Sequence, residues 1–219
     1  MLALYAEKVS KAKVITKIGR ISFEEVIDEL PLGSVIYPKN ITAEVIVRYV
    51  RAMENARRFG VREGLSFHLC DGVRGLPRDF DVLLMAGLGA ETMVGILRSG
   101  PWLRGGRYRL VLQCQSSQNE LRQYLSEHGW EITREEPVRD GKFLYTVLEA
   151  KPGCQSLTPG QHFASPALLA SGSPLVGEYL AFCRQAVEKV VLGLTGLGGP
   201  KYEYYSAALK ELREMEAMR

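Results

Sequence analysis

The fold is decided by the stretch Asp79-Phe80-Asp81-Val82-Leu83-Leu84-Met85-Ala86-Gly87-Leu88-Gly89-Ala90-Glu91-Thr92-Met93. Its apolar run Val82–Ala86 stops at a glycine, and a helical pattern starts near Thr92. A short apolar run bounded by turn residues is typical of a strand buried on both faces, as in a parallel sheet. Gly87 and Gly89 let a ligand approach the carboxyl end of this strand, where open α/β sheets bind ligands. The same glycines also fit a tight strand-to-helix turn without a ligand.

Composition restricts the class of protein without naming its partner. The chain has 219 residues, 46% of them hydrophobic, which suits one ordinary globular domain with an appendage. Its 28 Lys and Arg and 25 Asp and Glu give a formal net charge of +3, which neither demands nor excludes a nucleic-acid partner. The sequence shows no apolar stretch of membrane-spanning length and no signal-peptide pattern at its start. We therefore predict a cytoplasmic protein that does not insert into a membrane.

The cysteines and histidines indicate neither disulfides nor a metal site. The cysteines are far apart and form no Cys-x-x-Cys pair, which predicts reduced thiols. The histidines lack metal-ligand spacing with them, so we predict packing or surface roles and no bound metal. The residues concerned are Cys70, Cys114, Cys154, Cys183, His68, His128 and His162.

Strand and helix patterns alternate through the first 150 residues. Helices are predicted to open at Ser22, at Thr42 and at Ser117 or Gln118. The Asp140-Gly141 pair predicts a hairpin turn between the last two strands. This order predicts an α/β fold with a mostly parallel sheet and a closing antiparallel hairpin. Besides the strand in the opening stretch, the predicted strands are residues 12–18, Ser34–Tyr37, residues 65–70, Arg109–Cys114, Trp130–Val138 and Phe143–Ala150.

A linker and two helices are predicted for residues 151–219. Pro, Gly, Ser and Gln are frequent from Lys151 to Gly160, which is typical of a linker. Apolar residues then recur at helical spacing from Leu175 to Val190 and from Tyr205 to Met215, with a break at Gly193–Pro200. The pattern predicts a hairpin of two antiparallel helices, with Glu211 and its charged neighbours on the solvated face.

Several motifs in the second part of the chain carry a resemblance to a known family. They are Asn55-Ala56-Arg57-Arg58-Phe59-Gly60-Val61, Cys70-Asp71-Gly72, Phe80-Asp81-Val82-Leu83-Leu84-Met85-Ala86-Gly87-Leu88-Gly89, Leu112-Gln113, Leu121-Arg122 and Gly141-Lys142. In this order they resemble the TrmK family, the bacterial tRNA (adenine(22)-N1)-methyltransferases. Leu88 and Ala90 stand where that family usually has Met and Gly, and Cys114 stands where Pro is usual.

The resemblance implies a Rossmann-like class I methyltransferase sheet that binds S-adenosylmethionine, and C-terminal helices that help to hold tRNA. Asp71 and Gly72 would lie near the adenine of the cofactor, although they also fit a simple turn after a strand. Gln113 is the candidate substrate contact, and the pattern leaves open whether it or Gln115 faces the target adenine. No catalytic base emerges. The methyl-transfer cleft would be lined by Ala86, Gly87, Leu88 and Gly89.

Residues 1–54 resemble a different family. Segments such as Lys13–Ile18, Gly33–Lys39 and Tyr49–Asn55 are similar to the regulatory domain of TrkA, the peripheral subunit of a bacterial potassium uptake system. The two resemblances meet near residues 53–56 without a linker. Residues 1–55 also hold five Lys and three Arg, whereas residues 56–150 hold one Lys and twelve Arg. The chain would then divide into a TrkA-like segment (1–54), a methyltransferase part (55–150) and a linker with a helical hairpin (151–219).

That segment bears on the expected activity. A class I methyltransferase needs a glycine loop after its first strand and an acidic residue after its second. Here the strands are followed by Gly19-Arg20-Ile21-Ser22 and by Pro38-Lys39. We therefore expect the sheet to form and S-adenosylmethionine binding to be weakened or lost. The leading interpretation is a TrmK-like tRNA methyltransferase of reduced activity, and the alternatives are a potassium-transport regulatory protein and a non-functional chimera.

Overall fold

The described residues fall into two compact units. The computed structural model describes residues 14–18, 34–37, 53–55, 57–58 and 66–218. The first unit ends at Ser116 and the second begins at Ser117. The helix predicted from Ser22, and most of the one predicted from Thr42, lie outside the described residues. The division at residues 54 and 150 stays a prediction.

The described residues of the first unit form five parallel strands in the order β3-β2-β1-β4-β5. The predicted strand positions are confirmed, and β4 continues two residues beyond the predicted end at Ala86. Because the strands are parallel, their carboxyl ends lie along one edge of the sheet. The strands are β1 (Val14–Ile18), β2 (Ser34–Tyr37), β3 (Ser66–Leu69), β4 (Val82–Leu88) and β5 (Arg109–Cys114).

Strand β4 lies in the interior of this parallel sheet. It pairs with β1 on one side and β5 on the other, and its residues from Val82 to Gly87 are buried. Helix α1 (Ala90–Ser99) follows it directly and buries Met93, Ile96 and Leu97. An apolar strand between two others, followed at once by an amphipathic helix, is what the opening stretch predicts. That prediction is confirmed.

Three aromatic rings pack at the amino end of β4. The ring of Phe80 is buried, and its centroid lies 5.8 Å from that of Trp102 and 5.0 Å from that of Tyr108. The guanidinium of Arg78 lies 4.9 Å from the Trp102 ring centroid. Trp102 belongs to a 3₁₀ turn, Pro101–Gly105, which the sequence did not predict. These contacts anchor the amino end of the strand, on the side away from its glycines.

The second unit begins with a helix and an antiparallel hairpin. Helix α2 (Gln118–Glu127) precedes β6 (Trp130–Asp140) and β7 (Phe143–Pro152), which pair antiparallel around Gly141. Gly141 has φ +54°, a conformation that suits glycine in a tight turn. The helix and the hairpin are confirmed, and each strand is two residues longer than predicted.

Three further helices complete the second unit. The short α3 (Pro166–Leu169) was not predicted from the sequence, and α4 (Val176–Leu194) and α5 (Gly199–Ala217) form the predicted pair. The break predicted at Gly193–Pro200 is wrong at both ends. Helix α4 continues through Gly193, and Pro200 lies in the first turn of α5, where its missing N–H costs no helical hydrogen bond. In the part of the chain that the structure describes, no helix is long and apolar enough to cross a membrane.

The segment predicted as a linker is held against α5. The carboxylate of Glu211 accepts hydrogen bonds from the backbone N–H of Gly160, at 2.9 Å, and from the hydroxyl of Thr158. A Cβ at Gly160 would lie 2.5 Å from the side chain of Glu211, so the chain passes close to the helix there. The assignment of Glu211 to the solvated face is therefore wrong, because its carboxylate fixes this segment.

An arginine and a glutamate form an ion pair in the interior of the second unit. Arg122 on α2 and Glu135 on β6 are each 1% exposed. Arg122 Nη2 lies 2.5 Å from Glu135 Oε1, and Nε donates to both carboxylate oxygens, at 3.0 and 3.1 Å. Burial alone would lower the pKa of the guanidinium, but Glu135 and the hydroxyl of Tyr179 raise it above its ordinary value. Arg122 therefore stays charged inside the fold.

The other donors of Arg122 reach three further segments. Nη1 donates to the backbone carbonyl of His162 at 3.0 Å. Nη2 donates to the hydroxyl of Tyr179 on α4 at 2.9 Å, and to that of Thr146 on β7 at 3.2 Å. One side chain thus joins the helix that carries it to the hairpin, to the segment before α3 and to the helical pair.

The partners of this pair are themselves bonded. The hydroxyl of Ser165 donates to Glu135 at 2.6 Å and accepts from the N–H of Leu168 at 3.1 Å, which makes it the N-cap of α3. The hydroxyl of Tyr179 donates to Gln118 Oε1 at 2.5 Å, and burial raises its pKa, so it remains protonated. Each buried polar group here therefore has a partner, which such a network requires.

Replacing Arg122 by Met should lower the free energy of unfolding by about 3–5 kcal/mol, because it leaves the Glu135 carboxylate buried without its cation. Urea unfolding at neutral pH measures the change. The double variant R122M/E135M, which removes both charges, should be less destabilised than R122M alone. The control is R139M, because Arg139 pairs with Glu178 on α4 from β6 but is exposed, and its loss should cost less than about 1 kcal/mol. Equal losses in R122M and R139M would contradict this account.

Stability should also depend on pH through His162. Its Nδ1 lies 3.1 Å from the hydroxyl of Tyr204, and burial lowers its pKa below 6.5 despite the opposing charges of Glu127 and Glu211. As pH falls below 6.5, the unfolded chain takes up the proton first, so the free energy of unfolding should decrease by at most about 1.4 kcal/mol per pH unit. The decrease should end once the folded imidazole is protonated too.

The measurement is urea unfolding of the wild type and of H162Q at pH 7 and pH 5. Titrating groups common to both proteins cancel when the two free energies are subtracted. The free energy of unfolding of the wild type, minus that of H162Q, should be smaller at pH 5 than at pH 7. A difference that does not change between the two pH values would show that His162 is as accessible to protons in the folded chain as in the unfolded one.

Candidate functional site

The predicted site residues of the first unit lie along the carboxyl edge of its parallel strands. Asp71 and Gly72 follow β3, and Ala86–Gly89 end β4 and begin the turn into α1. Gln113 lies near the end of β5. Between β3 and β4 stand β2 and β1, so the two groups are three strand spacings apart, about 14 Å. Parallel pairing therefore brings the predicted residues to one edge but at separate places along it.

Asp71 and Gly72 form a tight turn. The N–H of Arg74 donates to the carbonyl of Asp71 at 3.1 Å, and Gly72 has φ +60°. A Cβ at Gly72 would lie 2.9 Å from Ser99 Oγ, so a larger residue here would require the Ser99 side chain to move. The side chain of Asp71 is 59% exposed, with Arg74 Nη1 at 3.9 Å. Gly72 thus serves the turn, and the carboxylate of Asp71 can be reached from solvent.

The Ala86–Gly89 stretch contains a β-bulge. Ala86 stands opposite Gln113 on β5 and Leu88 stands opposite Cys114, so the register shifts at Gly87. Gly87 has φ +72°, a conformation that glycine adopts without steric cost. Gly89 alone separates the end of β4 from α1, and Leu88 is half-buried at the edge of the sheet.

The end of β5 holds this turn through three hydrogen bonds. The N–H of Gly87 donates to Gln113 Oε1 at 2.7 Å. The N–H of Gln115 donates to the carbonyl of Leu88 at 2.9 Å, and the N–H of Ala90 donates to that of Ser116 at 3.2 Å. The turn therefore keeps its shape through the neighbouring strand rather than through its own residues.

Sequence reasoning missed the contact between Gln113 and Gly87. Gln113 is 6% exposed, and its side-chain oxygen is committed to the backbone of β4. The one available signal was a glutamine at the end of the apolar run Leu110–Leu112, because a buried polar side chain needs a partner. The structure shows that Gln115 contributes its backbone N–H to the turn.

The edge offers hydrogen-bonding groups rather than a metal centre. Among the described residues, no three His, Cys, Asp or Glu side chains come together to hold a metal ion. Among the described residues of this edge, the groups that a ligand could contact include the exposed carboxylate of Asp71 and the backbone of the glycine turn. Strands β1 and β2 end at this edge at Ile18 and Tyr37, and the segments after them lie outside the described residues. The expected weakening of the cofactor site by those segments stays a prediction.

Curated relatives of this chain carry methyltransferase names. One is MG248 of Mycoplasma genitalium, named as a candidate tRNA methyltransferase, which is 30% identical over 99 residues, 44% of each chain. A protein of Mycoplasma pneumoniae with the same kind of name is 30% identical over 141 residues, 53% of this chain and 64% of the relative. The matches thus span less than two thirds of the length of these relatives.

Solved structures show the fold over nearly the whole chain. Sp1610 of Streptococcus pneumoniae, described as a candidate tRNA (m1A22) methyltransferase, superposes with a TM-score of 0.76 at 20% identity, covering 98% of this chain and 97% of that one. The same protein in complex with S-adenosyl-L-methionine gives 0.74 at 21% identity, with the same coverage. The fold is therefore the Rossmann-like methyltransferase fold, with a mixed open sheet and C-terminal helices.

The methyltransferase-domain family matches residues 34–148, which is more than half of the chain. This match starts at β2 and runs through residues 53–56, where the two sequence resemblances were expected to meet. It assigns residues 34–54 to the methyltransferase domain, and the resemblance of residues 1–54 to TrkA receives no support from these relatives. With its parallel sheet, its glycine turn after β4 and this match, the chain belongs to the methyltransferase-domain family.

Proposed function

We propose that this chain is an S-adenosylmethionine-dependent tRNA methyltransferase of the TrmK type, which methylates N1 of an adenine. The observation that carries the proposal is the carboxyl edge of the parallel sheet, where an exposed carboxylate follows β3 and a glycine bulge ends β4. Support comes from relatives named as tRNA methyltransferases and from the structural likeness to Sp1610, whose complex contains S-adenosyl-L-methionine. Potassium-transport regulation has no comparable support and is not proposed.

The edge suits an elongated cofactor with an adenine at one end. The carboxylate of Asp71 can accept a hydrogen bond from an adenine amino group, and the turn at Gly72 sets its position. The bulge at Ala86, Gly87, Leu88 and Gly89 would then face the methyl-bearing end, about 14 Å along the edge. The two places are far enough apart for one molecule to occupy both.

The chemistry of the proposed reaction explains why no catalytic base is needed. Bound S-adenosylmethionine supplies an electrophilic methyl group. The ring nitrogen N1 of adenine carries a lone pair, which forms the new N–C bond while the S–C bond breaks and its electron pair stays on sulfur. No proton leaves N1 in this step. The protein therefore has to orient the adenine and exclude competing geometries, which backbone and amide groups can do.

We assign the tRNA contacts in part to the helical pair α4 and α5, on the strength of the resemblance to TrmK. The aromatic residues at the start of α5 do not all serve this purpose. Tyr204 packs on His162, with ring centroids 5.9 Å apart, and Tyr205 packs on Phe163 at 6.1 Å. We also propose a cytoplasmic location, which suits the four free cysteines.

The first test is calorimetric titration of the purified chain with S-adenosylmethionine. The proposed function requires saturable one-to-one binding, and the sequences after β1 and β2 predict that its affinity is weak. Asp71→Ala should weaken it at least about tenfold, because a hydrogen bond to a charged group contributes about 1.5–3 kcal/mol. Arg74→Ala is the control, since Arg74 is exposed and 3.9 Å from the carboxylate, and it should change the affinity little. Equal affinities for the wild type and D71A would remove Asp71 from the cofactor site.

The second test is methyl transfer to a tRNA transcript from labelled S-adenosylmethionine. Transfer should require adenine 22, and a transcript with guanine at that position should accept no label. If the wild type unfolds cooperatively but binds no cofactor, the chain is a folded methyltransferase domain without activity, and the proposed function is wrong.

A further inference from the structure

We propose that Gln113 is a positioning residue, which holds the Gly87 turn of the methyl-transfer cleft through its side-chain oxygen and does not itself bind the target adenine. The contact itself is a feature of the first unit. Its effect on cofactor binding and methyl transfer rests on the proposed function. It replaces the expectation from the sequence that Gln113 contacts the substrate.

The β-bulge creates the need for this contact. Ala86 and Leu88 pair with Gln113 and Cys114 on β5, so Gly87 has no residue directly opposite it. Its N–H is buried in the sheet, and a buried N–H without an acceptor is strongly disfavoured. Gln113, opposite the preceding residue, extends its side chain to Gly87 and accepts at 2.7 Å. The side chain thus takes the place of the missing ladder partner.

The orientation of the amide follows from the same contact. A backbone N–H can only donate, so the atom of Gln113 that faces Gly87 must be the oxygen. The oxygen is therefore the end that serves the turn, and the amino end is the one that a substrate contact would use. The two roles depend on different ends of one amide group, which makes them separable by substitution.

The neighbouring hydrogen bonds limit the damage that loss of Gln113 would cause. The carbonyl of Leu88 and the N–H of Ala90 remain bonded to the backbone of residues 115 and 116. The fold should therefore survive without the Gln113 side chain, whereas the Gly87 peptide, with φ +72°, loses the contact that fixes it. The consequence is confined to the turn that would line the methyl end of the cofactor.

Two substitutions at position 113 separate the roles. Q113E keeps the oxygen acceptor and the shape of the side chain but lacks the amino group, whereas Q113M keeps the length and lacks both polar ends. For a positioning role, Q113M should weaken S-adenosylmethionine binding about five- to tenfold and lower kcat, and Q113E should restore both to within about threefold of the wild type. For a substrate contact, both variants should raise KM for tRNA and leave cofactor affinity unchanged, and that result would overturn the proposal.

Further variants control for unspecific effects. Q123M makes the same substitution at a half-buried glutamine of α2, whose amide donates to Glu127 at 2.8 Å, and should change neither cofactor affinity nor kcat. G87A disturbs the same turn from its other side, because a Cβ disfavours φ +72°, and should weaken cofactor binding as Q113M does. Thermal unfolding of each variant shows whether it folds.

A direct readout keeps the proposal testable even if the chain proves inactive. Hydrogen exchange of the Gly87 amide, followed by NMR, should be at least about tenfold faster in Q113M than in the wild type and close to the wild type in Q113E. Equal exchange rates in Q113M and the wild type would overturn the positioning role whatever the enzymatic result. Absence of cofactor binding in the wild type would instead count against the proposed function alone.

Discussion

The buried ion pair of Arg122 and Glu135 is the interaction on which the second unit depends. Moving two charges out of water is expensive, and the cost is offset only when every remaining donor and acceptor finds a partner. Here those partners come from β7, from the segment before α3 and from α4, through Thr146, Ser165 and Tyr179. Hydrogen bonds as well as apolar packing therefore hold the helices after the hairpin against it. A register shift in any of these elements would leave a charge or a hydroxyl unsatisfied.

A different constraint organises the first unit. Parallel pairing sends the carboxyl ends of all five strands to one edge, so residues distant in sequence become neighbours along that edge. Two glycines with positive φ, Gly72 and Gly87, form turns at this edge. Both turns are fixed by residues from other elements, Gly72 by its close approach to α1 and Gly87 by Gln113. Apolar runs in the sequence thus determine the strands of the sheet, and contacts between different elements shape the candidate site.

This difference explains what the sequence could predict. Strands such as β4 and β5 are visible because burial on both faces requires an unbroken apolar run, and the hairpin is visible because Asp140-Gly141 is a turn signal within the chain. Helix α3 was missed, since four residues are too few to show periodicity. The roles of Arg122 and Gln113 were missed for a different reason. A charged or amide side chain near apolar residues gives no indication of its partner when that partner lies on another element.

The same reasoning explains how residues 34–54 can match the methyltransferase-domain family although the sequence of residues 1–54 resembles TrkA. Apolar strands that alternate with helices are common to parallel α/β sheets. The sequence patterns of β1 and β2 therefore indicate the fold and not the function. Strand β1 pairs with β4, and β2 pairs with β3, in parallel register. In a class I methyltransferase, cofactor binding depends on the segments that follow the first two strands. A methyltransferase sheet can therefore tolerate changes there that its activity does not, and for this chain the fold and the catalytic competence are separate questions.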